Sequence, residues 1–302
     1  MSRRAVLLFL ALGFAWGIPY LLIKVALDEI SPSELVLART ALAALLLLPI
    51  AVARGAVWPV LRRWQPLLAY TLIEIAIPWV ALGSAELHLP SSTTGLLIAA
   101  VPLAGLAVAY LSGRAERLNP MAWFGLGLGI AGVGCLVGFD VGGSDLRAVG
   151  LLGITVVGYA VGPAILARSL GDLPGIGVVA LSLSIAAIMF VPVVLVADGV
   201  PAGLPSGDVI ASVLVLAFVC TAAAFLMLFA LVGEVGPVRA TTITYVNPAV
   251  AVVAGVVVLG EPWTVWTVVG FVLIVAGSFL VNTRPQPAGT SASRPVHSDQ
   301  VG

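Results

Sequence analysis

Apolar residues run through this chain in blocks near 20 residues long, bounded by charges or by Pro and Gly clusters. A helix needs about 20 apolar residues to cross a hydrocarbon layer. The pattern predicts ten such helices, over 5–27, 34–53, 66–86, 93–112, 121–139, 149–167, 175–197, 209–231, 240–259 and 264–281. Together they take up about 200 positions, so no loop is long enough to fold as a separate domain. Residues 282–302 are polar and rich in Pro and Ser, and are predicted to be a disordered tail. The fold class is therefore all-α and polytopic.

Composition removes the alternatives. Of 302 residues, 61% are hydrophobic and 9% charged, with a mean hydropathy of +1.16. A soluble domain is roughly a quarter charged, and 28 charged side chains cannot clothe one of this size. The numbers exclude a soluble globular protein, a disordered chain and a nucleic-acid binder, and they make the lipid bilayer the first partner. Met1-Ser-Arg-Arg precedes the first block, but no small-residue cleavage site ends that block, so it is predicted to be a retained span. Cys135 and Cys220 lie far apart inside apolar blocks and are expected to be small buried side chains.

Net charge is zero, so the information lies in placement. With the N-terminus inside, the cytoplasmic segments hold Arg3, Arg4, Arg54, Arg62, Arg63, Arg114, Arg117, Arg168, Arg239, Arg284 and Arg294, and the outer loops hold Arg147 alone. This is the asymmetry that cytoplasmic loops carry, and a missed or added span would scramble it. Most acids fall outside: Asp28, Glu29, Glu34, Glu86, Asp140, Asp145, Asp198, Asp208 and Glu261. Both termini are predicted to be cytoplasmic.

The two halves resemble each other. Pro32, Pro49 and Gly55 match Pro174, Pro192 and Gly199 at offsets of 142–144, Pro102 matches Pro248, and Glu116, Gly125 and Gly132 match Glu261, Gly270 and Gly277 at 145. Five spans is an odd number, so equivalent helices would cross in opposite directions. The expected units are residues 1–140 and 148–281, inverted in the membrane. Inverted repeats are a signature of secondary transporters, with the site at the midplane between halves.

The residues now carry a resemblance. Trp16-Gly17, Lys24, Pro32 and Arg39, then Pro102, Ala115-Glu116-Arg117-Leu118, Gly125 and Gly132, look like the EamA family of the drug/metabolite transporter superfamily. The second half adds Asn247-Pro248-Ala249, Leu259-Gly260-Glu261-Pro262, Gly270, Leu273-Ile274 and Gly277. The first half departs in having Ala115-Glu116 where a Gly-Glu pair is usual, and the second lacks a clear Trp-Gly equivalent. The resemblance covers about 5–281 and implies an inner-membrane exporter of small metabolites, such as amino acids or drug-like compounds, driven by an ion gradient.

Candidate transport residues follow from cost. A charge at a helix centre in the membrane costs about 2.5–3.5 kcal/mol on insertion scales. Lys24, Arg39 and Glu74 qualify. Glu74 lies eight residues into the third span, about 12 Å deep, with Pro78 and Ala81 leaving room beside it. It is a candidate group for binding protons or cations, the alternative being a polar contact between helices. Lys24 and Arg39 lie within two turns of the outer ends of spans one and two. Each is read either as a substrate-carboxylate or gating residue or as an interfacial anchor, and Lys24 could pair with Asp28 one turn on.

Trp16, Tyr20 and Lys24 share one helical face beside Gly13 and Gly17, and Tyr159 with Gly158 and Gly162 occupies the equivalent place in span six. Such aromatics suit an apolar or aromatic substrate, while the glycine spacing equally marks close packing. Trp79 is about 140° around an ideal helix from Glu74, so the two need not line one cavity. Pro102 and Pro248 are expected to kink spans four and nine near their middles. Asn247 supplies an amide there, with Thr241, Thr244 and Tyr245 around it. Glu116 and Glu261 precede helices that open on Pro and are expected to interact with those helices' own N-termini.

An intramembrane enzyme would need ligand or nucleophile sets such as His-Glu-x-x-His. His88 and His297 both lie outside the spans. The chain is read as a non-enzyme without cofactor or metal, and as a carrier of a small-molecule substrate, with protons as candidate coupling ion. A scaffold or receptor, and an uncoupled facilitator, are the alternatives.

Overall fold

A computed structural model describes residues 2–111, 120–137, 145–199, 203–236, 243–244 and 246–282. Those residues are all-helical, without strands. Seven helices are long and apolar enough to cross a membrane: α1 (Arg3–Ala26), α2 (Pro32–Ala53), α3 (Trp64–Glu86), α4 (Ser91–Val108), α6 (Leu146–Leu170), α7 (Gly175–Ala197) and α8 (Gly207–Val235). Three shorter apolar helices complete the set: α5 (Pro120–Cys135), α9 (Asn247–Leu259) and α10 (Val265–Leu280). The chain is a multi-pass membrane protein. The expected tail, 282–302, lies outside the described residues apart from its first position.

Local chemistry sets the boundaries. Ser31 and Glu34 form a reciprocal capping box at the start of α2, with Pro32 in the first turn. Asp145 and Ser206 cap α6 and α8 with their side-chain oxygens. Past the ends of α2 and α7, Gly55 and Gly199 take φ of +64° and +81°, where a side chain would be strained. These are two of the residues matched between the halves.

The helices depart from ideal where the cavity will lie. α1 breaks at Ile18, before Pro19. α4 is interrupted at Ala99 and Ala100, so Pro102 falls in the first turn of a second segment, not in the middle of a continuous kinked helix. Pro248 likewise sits in the first turn of α9. A first-turn proline gives up no intrahelical hydrogen bond, so both helix starts accommodate it. The hydroxyl of Ser278 on α10 donates to the Ala99 carbonyl at 3.0 Å, satisfying backbone at the α4 break. π-helical turns occur at Thr71–Ala76 in α3 and Phe218–Ala223 in α8.

Packing pairs the halves. α2 lies along α7, α5 along α10 and α4 along α9, while α3 packs on α6 and α1 on α8. Exchanging first-half for second-half helices maps these pairings onto themselves. Between α5 and α10 the backbones touch: a Cβ on Gly277 would meet the Gly125 carbonyl oxygen at 2.5 Å, and one on Gly132 the Gly270 carbonyl oxygen at 2.9 Å. Around Arg63, a bidentate pair with Asp172 (2.6 and 2.8 Å) ties the segment before α3 to the α6–α7 turn. That guanidinium holds the Asp172 carboxyl below the usual carboxylate range.

Candidate functional site: a central cavity with one cation and one acid

Helices α1, α2, α3, α4, α6, α8 and α9 surround a cavity of about 520 Å³. Its walls include Trp16, Tyr20, Arg39, Glu74, Trp79, Pro102, Tyr159, Asn247 and Pro248. Nine of the eleven residues singled out from the sequence therefore meet in one place. Lys24 is not in the wall, and Tyr245 lies outside the described residues.

Glu74 stands inside the π turn of α3. A π turn widens the helix locally, which alters the ideal spacing from Glu74 to Trp79 and lets both face the cavity. The space beside Glu74 comes from α6 more than from its own helix: a Cβ on Gly162 would overlap the carboxyl group, and one on Gly158 would meet Pro78 and the Ile73 carbonyl. Glu74 Oε2 is buried and, among the described residues, has no hydrogen-bond partner. Thr155 donates to the Pro78 carbonyl at 3.1 Å, fixing α6 against α3 just beyond this point.

Arg39 is 8% exposed. Its Nε donates to Thr221 Oγ1 at 2.8 Å, and its guanidinium carbon lies 3.9 Å from the centre of the Trp79 ring. Such stacking is worth up to about 2 kcal/mol when desolvated. Thr221 belongs to the α8 π turn, so one irregular turn carries Glu74 and another carries the arginine's partner. Trp16 meets Phe225 edge to face at 6.1 Å. Asn247, with its amide nitrogen toward the carbonyls of Ile243 and Gly13, joins α9 to α1.

Lys24 has a different position from the one expected. It does not pair with Asp28; its ammonium donates to the carbonyls of Glu86 and Leu89, satisfying acceptors left over where α3 ends. Glu261 also differs. Its carboxylate accepts from the amides of Ser91 (2.6 Å) and Ser92 (2.9 Å), so it caps α4 across the molecule and not the helix it precedes. Glu116 lies outside the described residues. Cys220 is buried as expected and lines the cavity, whereas Cys135 is only half-buried. Glu86, assigned by sequence to an outer loop, is fully buried, and among the described residues neither carboxyl oxygen has a partner.

Sequence reasoning missed Cys220 and Tyr70 as wall residues, and Thr221 as the buried partner of Arg39 behind the wall. A hydroxyl or thiol inside an apolar block carries no insertion cost large enough to single it out. The offset of 142–146 between halves puts the counterpart of Glu74 at 216–220, so it could have pointed to Cys220 but not to Thr221.

Comparison with known proteins decides the family. The EamA-like transporter family matches the chain twice, over residues 3–138 and 146–283. The chain belongs to the EamA-like transporter family. The chain is 29% identical over 288 residues to the uncharacterised inner membrane transporter YedA of Escherichia coli K12, covering 91% of this chain and 92% of that one. It is 26% identical over 293 residues to the uncharacterised transporter YvbV of Bacillus subtilis 168, at 96% and 95% coverage. A solved crystal structure shares the fold with a TM-score of 0.66 at 21% identity, over 93% of this chain and 98% of that one. Both EamA segments contribute cavity wall: Arg39 and Glu74 come from the first, Tyr159, Cys220 and Asn247 from the second.

Proposed function

We propose that this EamA protein is a secondary transporter of small organic metabolites in the inner membrane, exporting them by alternating access with Glu74 as the proton-coupling group. The observation that carries this reading is the cavity itself: about 520 Å³, walled by both family segments, with the acid Glu74 and the cation Arg39 both in its wall. That volume suits a small organic solute. The two EamA matches, the pairing of helices across the halves and the arginine asymmetry of the loops support ten spans in two inverted five-helix repeats, with both termini cytoplasmic. The relative described as an inner membrane transporter supports the location.

Glu74 fits the coupling role because one of its carboxyl oxygens is buried without a hydrogen-bond partner among the described residues and the residue lines the cavity. A proton there removes a charge that low-dielectric surroundings disfavour, so protonation and solute occupancy are linked through one cavity.

The test is solute movement in proteoliposomes with and without an imposed pH gradient, using a panel of amino acids, aromatic carboxylates and cationic drugs. Wild type is expected to accumulate one class in a gradient-dependent way, and Glu74→Gln to lose at least about tenfold of that dependence while retaining exchange. Equal gradient response in Glu74→Gln would remove the coupling role and leave an uncoupled facilitator.

A further inference from the structure

We propose that the substrate is an organic monoanion, a carboxylate carrying an aromatic or similarly apolar body, and that Arg39 receives its carboxylate. This rests on the transporter reading and names the substrate class of the same cavity.

A guanidinium has five N–H donors and no acceptor. In Arg39 one of them, on Nε, goes to Thr221, and one face is covered by Trp79. Thr221 is fixed in that role because its own proton goes to the Leu216 carbonyl at 2.8 Å, leaving its oxygen to accept. The four donors on the two terminal nitrogens have no protein partner among the described residues, and Arg39 lines the cavity. The two ion pairs found among the described residues, Arg4–Glu234 and Arg63–Asp172, lie elsewhere. Glu74, the other charged wall residue, is turned toward Gly162 on α6.

Glu86 is within electrostatic reach of Arg39 but makes no ion pair with it, and a desolvated cation without a paired counter-ion is electrostatically incomplete. The protein supplies stacking and one neutral hydrogen bond, and leaves open the paired terminal nitrogens, whose fork matches a planar carboxylate. One unpaired cation selects a single negative charge. A cationic solute would be repelled, and a neutral one would displace water from those donors without replacing its hydrogen bonds. The remaining wall sets the body of the molecule: Trp16, Tyr20, Tyr159 and Phe225 present aromatic surface around the same space.

Thr221 is thus a positioning residue. It turns the guanidinium so that its terminal nitrogens, and not its edge, meet the solute.

The experiment is equilibrium binding of tritiated 3-phenylpropionate to the full-length protein in detergent, with competition by 3-phenylpropionamide and by phenethylamine. These three share an aromatic body and differ in charge. Wild type is expected to prefer the carboxylate over the amide by roughly tenfold or more, with phenethylamine weakest. Arg39→Met is expected to abolish the preference. Thr221→Val should reduce the carboxylate-to-amide ratio and Thr221→Ser restore it, a response that a purely structural threonine would not give. The wild-type comparison stands even if Arg39→Met fails to fold. Equal or tighter binding of the amide or amine overturns the inference, as does absence of carboxylate binding. If neutral or cationic solutes then still move in proteoliposomes, the transporter reading survives without it. If nothing moves, both fall.

Discussion

Glu261 and Lys24 are charged residues that stitch helix ends together across the molecule. Glu261 accepts two backbone amides at the start of α4, and Lys24 donates to two carbonyls at the end of α3. The ends of adjoining helices, where backbone groups lack intrahelical partners, are thereby satisfied from α1 and from the α9–α10 turn. Glu261→Ala is expected to lower stability by about 1–2 kcal/mol, as loss of a cap does, and Glu261→Gln by less because one acceptor remains. Thermal unfolding in detergent reads both, and unchanged midpoints would contradict the capping role. At this scale the sequence was informative where a charge sits deep in an apolar block: Arg39 and Glu74 stood out by cost alone and both reached the cavity. It was uninformative where cost is low or a residue borders a loop. Glu86 looks solvated from its position next to Leu87 and His88, yet the fold buries it completely, and nothing local encodes that.

Helices of this protein owe their bends to irregular turns and their close approaches to glycine. In α5, Gly132 faces α10 and Gly129 faces Leu103 on α4, whereas Gly127 and Gly134 have open space where a Cβ would stand. Gly132→Ala and Gly277→Ala are therefore expected to destabilise by about 1–3 kcal/mol through overpacking. Gly127→Ala and Gly134→Ala should be neutral or stabilising by up to about 1 kcal/mol, since alanine is the better helix former. Unfolding midpoints that move alike in all four variants would overturn this account of the α5–α10 contact. The glycine matches between halves made the contact legible beforehand, because Gly125 and Gly132 recur as Gly270 and Gly277. The π turns were not legible. Nothing in Thr71–Ala76 or Phe218–Ala223 marks a widened turn, and an ideal helix put Trp79 on another face from Glu74.

The whole molecule has more than one apolar core. Around Lys24, one apolar cluster joins residues from nearly every helix, including Ile23, Leu35, Leu82, Leu96, Leu152 and Val213. Three further clusters lie apart from it, the largest joining α2, α3, α7 and α8 through Ala44, Ile75, Val179 and Ala217. Leu12, Ala224, Leu231 and Ile243 tie α1 to α8 and to the approach to α9, while Leu67, Tyr70, Leu170 and Val178 tie α3 to α6 and α7. The ion pairs follow the same division: Arg4–Glu234 belongs to the first group and Arg63–Asp172 to the second. Described residues therefore form one core around Lys24 and three further clusters, two of them local to α1–α8 and α3–α6–α7 and the third joining α8 to α2, α3 and α7. Span parity and the matches between halves suggested a two-part carrier. How the core clusters divide depends on side-chain packing between distant segments, which hydropathy does not record.

Alternating access about the cavity is the central claim, and paired distance measurements by pulsed electron resonance test it most directly. With Cys135 and Cys220 replaced, one spin-label pair would join Ala167 on α6 to Gly233 on α8, and a second would join Leu87 after α3 to Gly207 at the start of α8. On protonation, or in Glu74→Gln, with saturating solute, the first distance is expected to shorten and the second to lengthen, each by several ångströms as domain-scale motions do. Two distances that stay fixed under every condition, or that change in the same sense, would contradict it.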